Sequence, residues 1–206
     1  MTTKHKAGSC GEIPLPGVDA SYKMTHNFNS ALFTVLLKYL KPKRGEEIID
    51  LGCSRGFYVR ELEDYTDGIL GVDISQTSLK GAVTSKVKYG DITNLDFEAN
   101  SFDKAYSLHT IEHILNLKQF FSEIERVLRP EGIAVIVYPW ELFRGFQAIL
   151  ASLRQYKNPF MARKIHLHRL TPKRIQQLIE GTPLSHVESK FTFALGLQYL
   201  TVLKKL

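Results

Sequence analysis

Cysteine is scarce in this sequence, with only Cys10 and Cys53 among 206 residues. Two cysteines supply neither a disulfide framework nor a cysteine-based metal cluster, so we predict no metal site and a reducing compartment, the cytoplasm. The N-terminal residues lack the apolar segment of a signal peptide. Long hydrophobic runs are also missing, because the longest, residues 133–138, is far too short to cross a bilayer. We therefore expect no integral membrane contact.

Acidic residues are absent from one long stretch of the chain. The overall composition, with 44% apolar and 23% charged residues and a net charge of +6, is that of a globular protein. Residues 142–179 contain no acid and eight basic side chains: Arg144, Arg154, Lys157, Arg163, Lys164, Arg169, Lys173 and Arg174. Such a segment favours a small anionic molecule or RNA as the ligand, while a solvated basic surface is the alternative.

Strand-like and helix-like segments alternate along the middle of the chain. Apolar runs predict strands at residues 47–51, 68–73, 86–90, 102–108 and 133–138, and helical spacing predicts helices at 57–64, 75–83 and 117–128. Residues 129–132 are predicted to end the last of these helices and turn the chain into the fifth strand. This alternation indicates a parallel sheet with helices on both faces. Two final strands, 187–193 and 198–203, are joined through Gly196.

We predict that residues 1–206 form a single domain with four parts. Residues 1–40 are an arm followed by a helix at 27–40, residues 46–138 are the core, and residues 139–170 are an insertion. Residues 171–206 contain a helix, capped by Thr171 with Pro172 in its first turn, and the final strand pair. A helical apolar stripe in the insertion favours a lid packed over the site rather than a membrane anchor: Leu142, Phe143, Phe146, Ile149, Leu150 and Leu153.

Polar residues stand at the carboxyl ends of the first four predicted strands. Asp50 ends the first strand and is followed by Gly52 and Gly56, and Asp73 ends the second, 21 residues after Gly52 (73 − 52). Because ligands of an open parallel sheet bind beyond these ends, Asp73 is placed to accept bonds from both ribose hydroxyls. A single such acid is most often a helix cap. The aligned ends together favour a nucleoside site.

The third and fourth strand ends extend this nucleoside site. Asp91 is placed to accept from an adenine amino group, and Ile74 and Ile92 to sandwich the ring. Ser107 and His109 end the fourth strand. Their positions match the order that a bound nucleoside requires.

The glycine loop excludes two common nucleotide cofactors. Ser54 lies between Gly52 and Gly56, so the Gly-x-Gly-x-x-Gly fingerprint of dinucleotide sites is missing. No Gly-Lys-Ser/Thr follows, so the chain also lacks a phosphate-binding loop. A ligand that carries adenosine without phosphate fits better.

Five ordered motifs between residues 46 and 138 resemble those of class I S-adenosylmethionine-dependent methyltransferases, in the group that includes ubiquinone/menaquinone-type enzymes. They are DLGCSRGF, GVDIS, YGDITNLDF, NSFDKAYSLHTIEHI and EIERVLRPEGI. The resemblance implies a Rossmann-like, doubly wound, seven-stranded sheet that is mostly parallel with one antiparallel C-terminal strand. It also implies S-adenosyl-L-methionine as the cofactor and S-adenosyl-L-homocysteine as the product. One departure is Ser54, where many members carry glycine.

The resemblance also implies a role for each motif residue. Asp50, Gly52 and Gly56, with Cys53 and Ser54 between the glycines, would surround the methionine part of the cofactor. Asp73 would bind the ribose, Asp91 and Ile92 would address the adenine, and the backbone of Ser107 and His109 would lie beside the sulfonium.

Four histidines are candidate catalytic bases: His109, His113, His166 and His168. Histidine has an unperturbed pKa of about 6.5, which suits removal of a proton from an incoming hydroxyl or amine. Methyl transfer from a sulfonium depends more on alignment and exclusion of water than on acid–base chemistry. We expect one of the four to act, and the sequence does not select among them.

The acceptor is predicted to be an oxygen, nitrogen or carbon of a small molecule, with an anionic one favoured. An RNA-modifying methyltransferase is the first alternative, although residues 107–110 lack the Asn/Asp-Pro-Pro-aromatic turn of enzymes that methylate exocyclic amines. A non-catalytic S-adenosylmethionine-binding regulatory subunit is the second. The oligomeric state stays open.

Overall fold

A seven-stranded sheet organises the computed structural model, which describes residues 28–194 and 196–206 without the side chain of Gln155. The strands are β1 (Glu47–Leu51), β2 (Gly68–Asp73), β3 (Val87–Tyr89), β4 (Phe102–Leu108), β5 (Leu128–Pro139), β6 (Leu184–Thr192) and β7 (Gln198–Lys205). Their spatial order is β3-β2-β1-β4-β5-β7-β6. Strands β1 to β5 are parallel, and β7 runs antiparallel to both of its neighbours. The predicted fold class is therefore confirmed.

The described residues contain seven α-helices. They are α1 (Ser30–Leu40), α2 (Phe57–Leu62), α3 (Gln76–Lys80), α4 (Leu117–Val127), α5 (Ile149–Tyr156), α6 (Ala162–Ile165) and α7 (Pro172–Ile179). One core cluster joins apolar residues of α1 and α2 to the sheet, and a second joins those of α4 and α7. Because strand order reverses between β1 and β4, the crevice beyond their carboxyl ends is where ligands of such sheets bind.

Strands β1, β2 and β4 and the cap of α7 lie where the sequence predicts them. Thr171 accepts a hydrogen bond from the Arg174 amide, with Pro172 in the first turn. Helices α2 and α3 end earlier than predicted, at Leu62 and Lys80. Helix α1 begins later than predicted, because Asn29 is its N-cap and accepts from the Leu32 amide.

The predicted turn at residues 129–132 is wrong, because β5 begins directly at Leu128. Phe102 pairs with Leu128 and Lys104 pairs with Ile133, so the intervening residues form an irregularity inside the strand. Glu131 adopts a positive φ of 68° in this bulge. A Cβ on Gly132 would lie only 2.9 Å from the Asp103 carbonyl oxygen, so glycine permits the close approach of β4.

The insertion contains a short core of its own, made by Ala148, Ala162 and Ile165. The predicted packing of its apolar stripe is wrong for most of the stripe, since Leu142, Phe143, Phe146, Leu150 and Leu153 are exposed among the described residues. Only Ile149 of the stripe packs partly against the short core. The predicted arm, residues 1–26, lies outside the described residues, as does residue 27 of the predicted helix, and the single-domain division stays a prediction.

In the part of the chain that the structure describes, no helix combines the length and the apolar character needed to cross a membrane.

Candidate functional site

The turn between β1 and α2 is held against the end of β2. Gly52, Ser54 and Gly56 have φ values of 93°, 51° and 75°, in the left-handed region that favours glycine. The amides of Gly52 and Cys53 donate to the Val72 carbonyl at 2.8 and 3.1 Å. Ser54 adopts the left-handed conformation at a cost that glycine would avoid.

Gly52 permits a close approach by Thr110, a residue that sequence reasoning missed. A Cβ at position 52 would lie 2.3 Å from the Thr110 Oγ1 atom, far inside any real contact. Thr110 follows the end of β4, so this contact fixes the spacing of the β1 and β4 strand ends at the reversal point. The sequence signal that could have indicated Thr110 is its position soon after the end of the fourth strand.

Asp73 accepts two backbone hydrogen bonds at the carboxyl end of β2. The amides of Ser54 and Ser75 each donate to a different carboxylate oxygen at 2.7 Å. Burial raises the pKa of Asp73, and the two hydrogen bonds oppose that shift. Each carboxylate oxygen has a further lone pair, so a carboxylate that shapes the loop can also accept from a ligand hydroxyl.

Asp50 is a buried acid in the adjacent strand end, with 3% of its surface exposed. Desolvation raises its pKa to about 8, the nearby negative charge of Asp73 adds to this, and the neighbouring Tyr106 hydroxyl opposes it. Within residues 28–194 and 196–206, the buried Tyr106 hydroxyl beside Asp50 has no well-formed hydrogen bond. A cationic ligand group would favour the ionised carboxyl. These acceptor oxygens therefore fit the ammonium group of S-adenosylmethionine, which donates hydrogen bonds.

Asp50→Asn is expected to flatten the pH dependence of unfolding of the cofactor-free protein. The pKa of Asp50 rises from 3.8 in the unfolded chain to about 8 in the folded one. Its contribution to stability is thus fully present below about pH 4 and is lost as the pH rises to about 8. At pH 8.5 the variant should be more stable than the wild type by a few kcal/mol, at about 1.4 kcal/mol per pKa unit.

Thermal unfolding at a series of pH values measures this difference. Asp96→Asn is the matched control, because the Asp96 side chain is 97% exposed and the substitution changes the net charge equally. If the unfolding temperatures of the wild type and Asp50→Asn changed with pH in the same way, the claim that burial raises the pKa of Asp50 would be contradicted.

Of the predicted adenine-side residues, Asp91 and Ile92 follow β3 and Ile74 follows β2. Asp91 is exposed and accepts from the Thr93 amide at 2.8 Å and from the Thr93 hydroxyl at 2.7 Å, which forms a local turn. Ile92 is packed in the core cluster beneath α4, whereas Ile74 is only half-buried. Of the two isoleucines, Ile74 therefore offers more surface to a ring.

Cys53 and Ser107 contribute through packing and the backbone. Burial raises the pKa of the Cys53 thiol far above its ordinary value, so this cysteine stays protonated. The Ser107 hydroxyl donates to the Leu51 carbonyl at 2.8 Å and ties β4 to β1. The roles of Cys53 and Ser107 toward the cofactor stay predictions.

Glu112 is the centre around which three of the four candidate histidines meet. It lies in a 3₁₀ turn, Ile111–His113, and is 2% exposed. Its Oε1 atom is 3.6 Å from His109 Nδ1 and 3.9 Å from His113 Nε2. Burial alone would raise the pKa of Glu112, but the histidines His109, His113 and His166 lower it to about 2.

Each of the four histidines is engaged by the protein. His109 Nε2 is 2.7 Å from Gln198 Oε1, His113 Nδ1 is 2.8 Å from the Ile165 carbonyl, and His168 Nε2 is 2.7 Å from the Ile114 carbonyl. His166 Nδ1 lies 2.6 Å from Glu141 Oε1, and the hydrogen bond to Glu141 raises the pKa of His166 against the effect of burial. His168 is thus an anchor for the turn after β4.

His109 is the candidate base closest to the strand ends. It terminates β4 with a positive φ of 51° and donates its amide to the Val137 carbonyl. A non-glycine residue in this region stores strain, which is common at functional sites. Glu141 and Gln198, which position His166 and His109, were missed by sequence reasoning because they lie 25 and 89 residues from these partners (166 − 141; 198 − 109).

Residues 49–136 match the family described as methyltransferase domain. This segment is a class I S-adenosylmethionine-dependent methyltransferase domain. The match covers the segment that contains the glycine loop, Asp73, Asp91 and the Glu112 turn. The predicted family, and with it S-adenosylmethionine as the family's cofactor, are confirmed.

Relatives and solved structures of the methyltransferase domain agree with this assignment. Sterol 24-C-methyltransferase of Saccharomyces cerevisiae is 32% identical over 109 residues, which are 48% of this chain and 28% of that protein. The chain thus spans less than a third of that relative's length. An S-adenosylmethionine-dependent methyltransferase from Mesorhizobium loti shares the fold with a TM-score of 0.69 and 19% identity, covering 85% of this chain and 98% of the other.

A geranyl diphosphate methyltransferase in complex with S-adenosylmethionine also shares the fold. Its TM-score is 0.67 at 16% identity, with 86% of this chain and 85% of the other covered. Likeness at this identity concerns the fold. The individual roles of Asp50, Asp73 and Asp91 in the methyltransferase domain stay predictions.

Proposed function

We propose that the protein transfers a methyl group from S-adenosylmethionine to a small molecule that has an apolar body and an anionic group. When bound, the cofactor supplies an electrophilic methyl group on a cationic sulfur. The residues of the chain orient the two reactants and keep water away from them. The observation that carries the proposal is an exposed aromatic surface beside His109.

The aromatic surface consists of Trp140, Phe143, Phe146, Phe191, Phe193 and Tyr199. Consecutive ring centroids lie 5.3 Å apart for Phe143–Phe146, 6.5 Å for Trp140–Phe191 and 5.1 Å for Phe191–Phe193. Phe193 is 73% exposed and Phe143 is 44% exposed. Contiguous exposed apolar surface of this kind marks a binding region rather than ordinary surface.

The aromatic surface adjoins the crevice at the carboxyl ends of β1 and β4. Pro139, at the end of β5, pairs with Gln198, and the Trp140 amide donates to the Leu197 carbonyl at 2.9 Å. Gln198 in turn contacts His109 at 2.7 Å. An acceptor that rests on these rings would therefore reach the end of β4, where the sulfonium is predicted to lie.

Charge supports an anionic group on the acceptor. The eight basic residues between positions 142 and 179 are all exposed, and they share this segment with Phe143 and Phe146. An apolar surface with basic residues around it suits an amphiphilic anion. The relatives fit, since the names of two of them include a sterol and an isoprenoid diphosphate, both with large apolar bodies.

Transfer of a labelled methyl group tests this proposal. The chain is incubated with methyl-labelled S-adenosylmethionine and with an organic cell extract, a water-soluble metabolite pool or total RNA. We expect label in the organic extract, and Phe191→Ala together with Phe193→Ala should lower turnover at least tenfold by removing acceptor contacts. Val187→Ala is the control, because Val187 is 54% exposed on the same strand but outside the aromatic surface.

Each other outcome contradicts the proposal in a different way. Label in RNA would favour the nucleic-acid alternative, in which the basic segment contacts phosphates. Cofactor binding without label in any pool would favour the regulatory alternative. Equal turnover in the double variant and the wild type would mean that the aromatic surface does not contact the acceptor.

A further inference from the structure

Glu112, His113 and His166 form a compact cluster with metal-ligand chemistry. One potential ligand atom of each residue lies within 4.8 Å of those of the other two. Glu112 and His166 are only 2% and 8% exposed. The Oε2 atom of Glu112 is buried and has no hydrogen-bond partner among residues 28–194 and 196–206. A buried carboxylate oxygen left without a partner is costly, which points to a ligand at this place.

Both histidine rings are oriented by hydrogen bonds through Nδ1. His113 Nδ1 lies 2.8 Å from the Ile165 carbonyl oxygen, and His166 Nδ1 lies 2.6 Å from Glu141 Oε1. These acceptors fix the tautomer that presents Nε2 to a cation. Metal-binding histidines characteristically donate the other N–H to a carbonyl or a carboxylate, and this cluster has one of each.

We propose that Glu112, His113 and His166 bind a divalent transition-metal ion. Two imidazoles and one carboxylate are the ligand set that suits zinc, iron or nickel rather than magnesium or calcium. The carboxylates of Glu112 and Glu141, both 2% exposed, supply two negative charges that would balance the ion. Three protein ligands leave at least one coordination position for water or for an anionic oxygen.

The ion would join two parts of the methyltransferase domain that are distant in sequence. Glu112 and His113 lie in the turn after β4, and His166 follows α6 in the insertion. The two segments already lie side by side, since the Leu167 amide donates to the Glu112 carbonyl at 2.8 Å. The sequence analysis predicts no metal site because cysteine is scarce, and it could not indicate this cluster because 53 residues separate His113 from His166 (166 − 113).

Titration with Co²⁺ tests the proposal, because the absorption spectrum of this ion reports imidazole coordination. The full chain is freed of any affinity tag, treated with a chelator and titrated with Co²⁺, and then with Zn²⁺ in competition. We expect one ion per chain, displaced by Zn²⁺ and not by Mg²⁺. Glu112→Gln and His166→Ala should each weaken binding more than tenfold, and Glu141→Gln should weaken it about 10–100-fold as an orienting residue.

His186→Ala is the matched control, because His186 lies on β6 and is 2.8 Å from the Ser189 hydroxyl, outside the cluster. It should bind Co²⁺ as the wild type does. Glu112→Gln keeps the shape of the side chain, so it decides the outcome if His166→Ala does not fold. Absence of saturable Co²⁺ binding, or binding unchanged in Glu112→Gln, would overturn the proposal and leave the cluster as a hydrogen-bonded network only.

Discussion

Asp73→Asn is expected to weaken the binding of S-adenosyl-L-homocysteine by about 10–100-fold, because a charged hydrogen bond is worth about 1.5–3 kcal/mol. Asp73 accepts from the Ser54 and Ser75 amides and would also accept from the ribose hydroxyls. Asparagine presents one oxygen and one donor nitrogen, so it cannot accept on both sides. Isothermal titration calorimetry measures the loss, with the exposed Asp96→Asn as the control.

An analogue without the ribose 2′-hydroxyl separates ligand contact from loop shape. If Asp73 binds the ribose, the wild type should prefer the normal cofactor product strongly, and Asp73→Asn should lose most of that preference. A variant that binds both compounds more weakly but with an unchanged preference would mean that Asp73 only shapes the loop. In that case the ribose role carried by the family resemblance would be wrong for this chain.

Gly52→Ala is expected to lower the free energy of unfolding by about 2–4 kcal/mol. This loss is the sum of backbone strain at a positive φ and steric overlap of the new Cβ. The φ of 93° at Gly52 disfavours any residue with a Cβ. The new Cβ would also lie 2.3 Å from Thr110 Oγ1, so the β4 end or the glycine loop must move. Because the loop leads to Asp73, cofactor binding should fall as well. Denaturant unfolding measures the first effect and calorimetry the second.

Gly181→Ala separates the two contributions to that loss. Gly181 has a φ of 78°, and a Cβ there would meet no atom of the described residues within 4 Å. Gly181→Ala should lower the free energy of unfolding by only about 1 kcal/mol, which comes from backbone strain alone. Thr110→Ala should restore part of the loss in Gly52→Ala, because it removes the two nearest atoms. Equal losses for Gly52→Ala and Gly181→Ala would contradict the close-approach account.

The sequence was sufficient for three of the parallel strands because their determinants are local. Strands β1, β2 and β4 are apolar runs that end in polar or glycine residues, and their bounds agree with the prediction. Asp50 and Asp73 lie close together because β1 and β2 are neighbouring parallel strands, and the crevice opens where strand order reverses between β1 and β4. The bulge in β5 was not predictable, because it depends on Gly132 meeting the Asp103 carbonyl from another strand.

The proximity of the clustered histidines is the part of the site that could not be predicted from the sequence. His113 and His166 are candidates by residue type, but their meeting at Glu112 depends on how the insertion folds back onto the turn after β4. The apolar stripe at positions 142–153 was interpreted as a packed face because of its helical spacing. In the described residues most of it faces outward, since Ala148, Ala162 and Ile165 fill the small core instead.

Titration of the unmodified chain with S-adenosyl-L-homocysteine tests the central claim most directly, with ATP and NAD as competitors. We expect one saturable site per chain, occupied by S-adenosyl-L-homocysteine and not displaced by ATP or NAD, because the loop around Ser54 lacks both phosphate-binding patterns. Absence of saturable binding, or binding of ATP or NAD with equal affinity, would contradict the assignment of this crevice to S-adenosylmethionine.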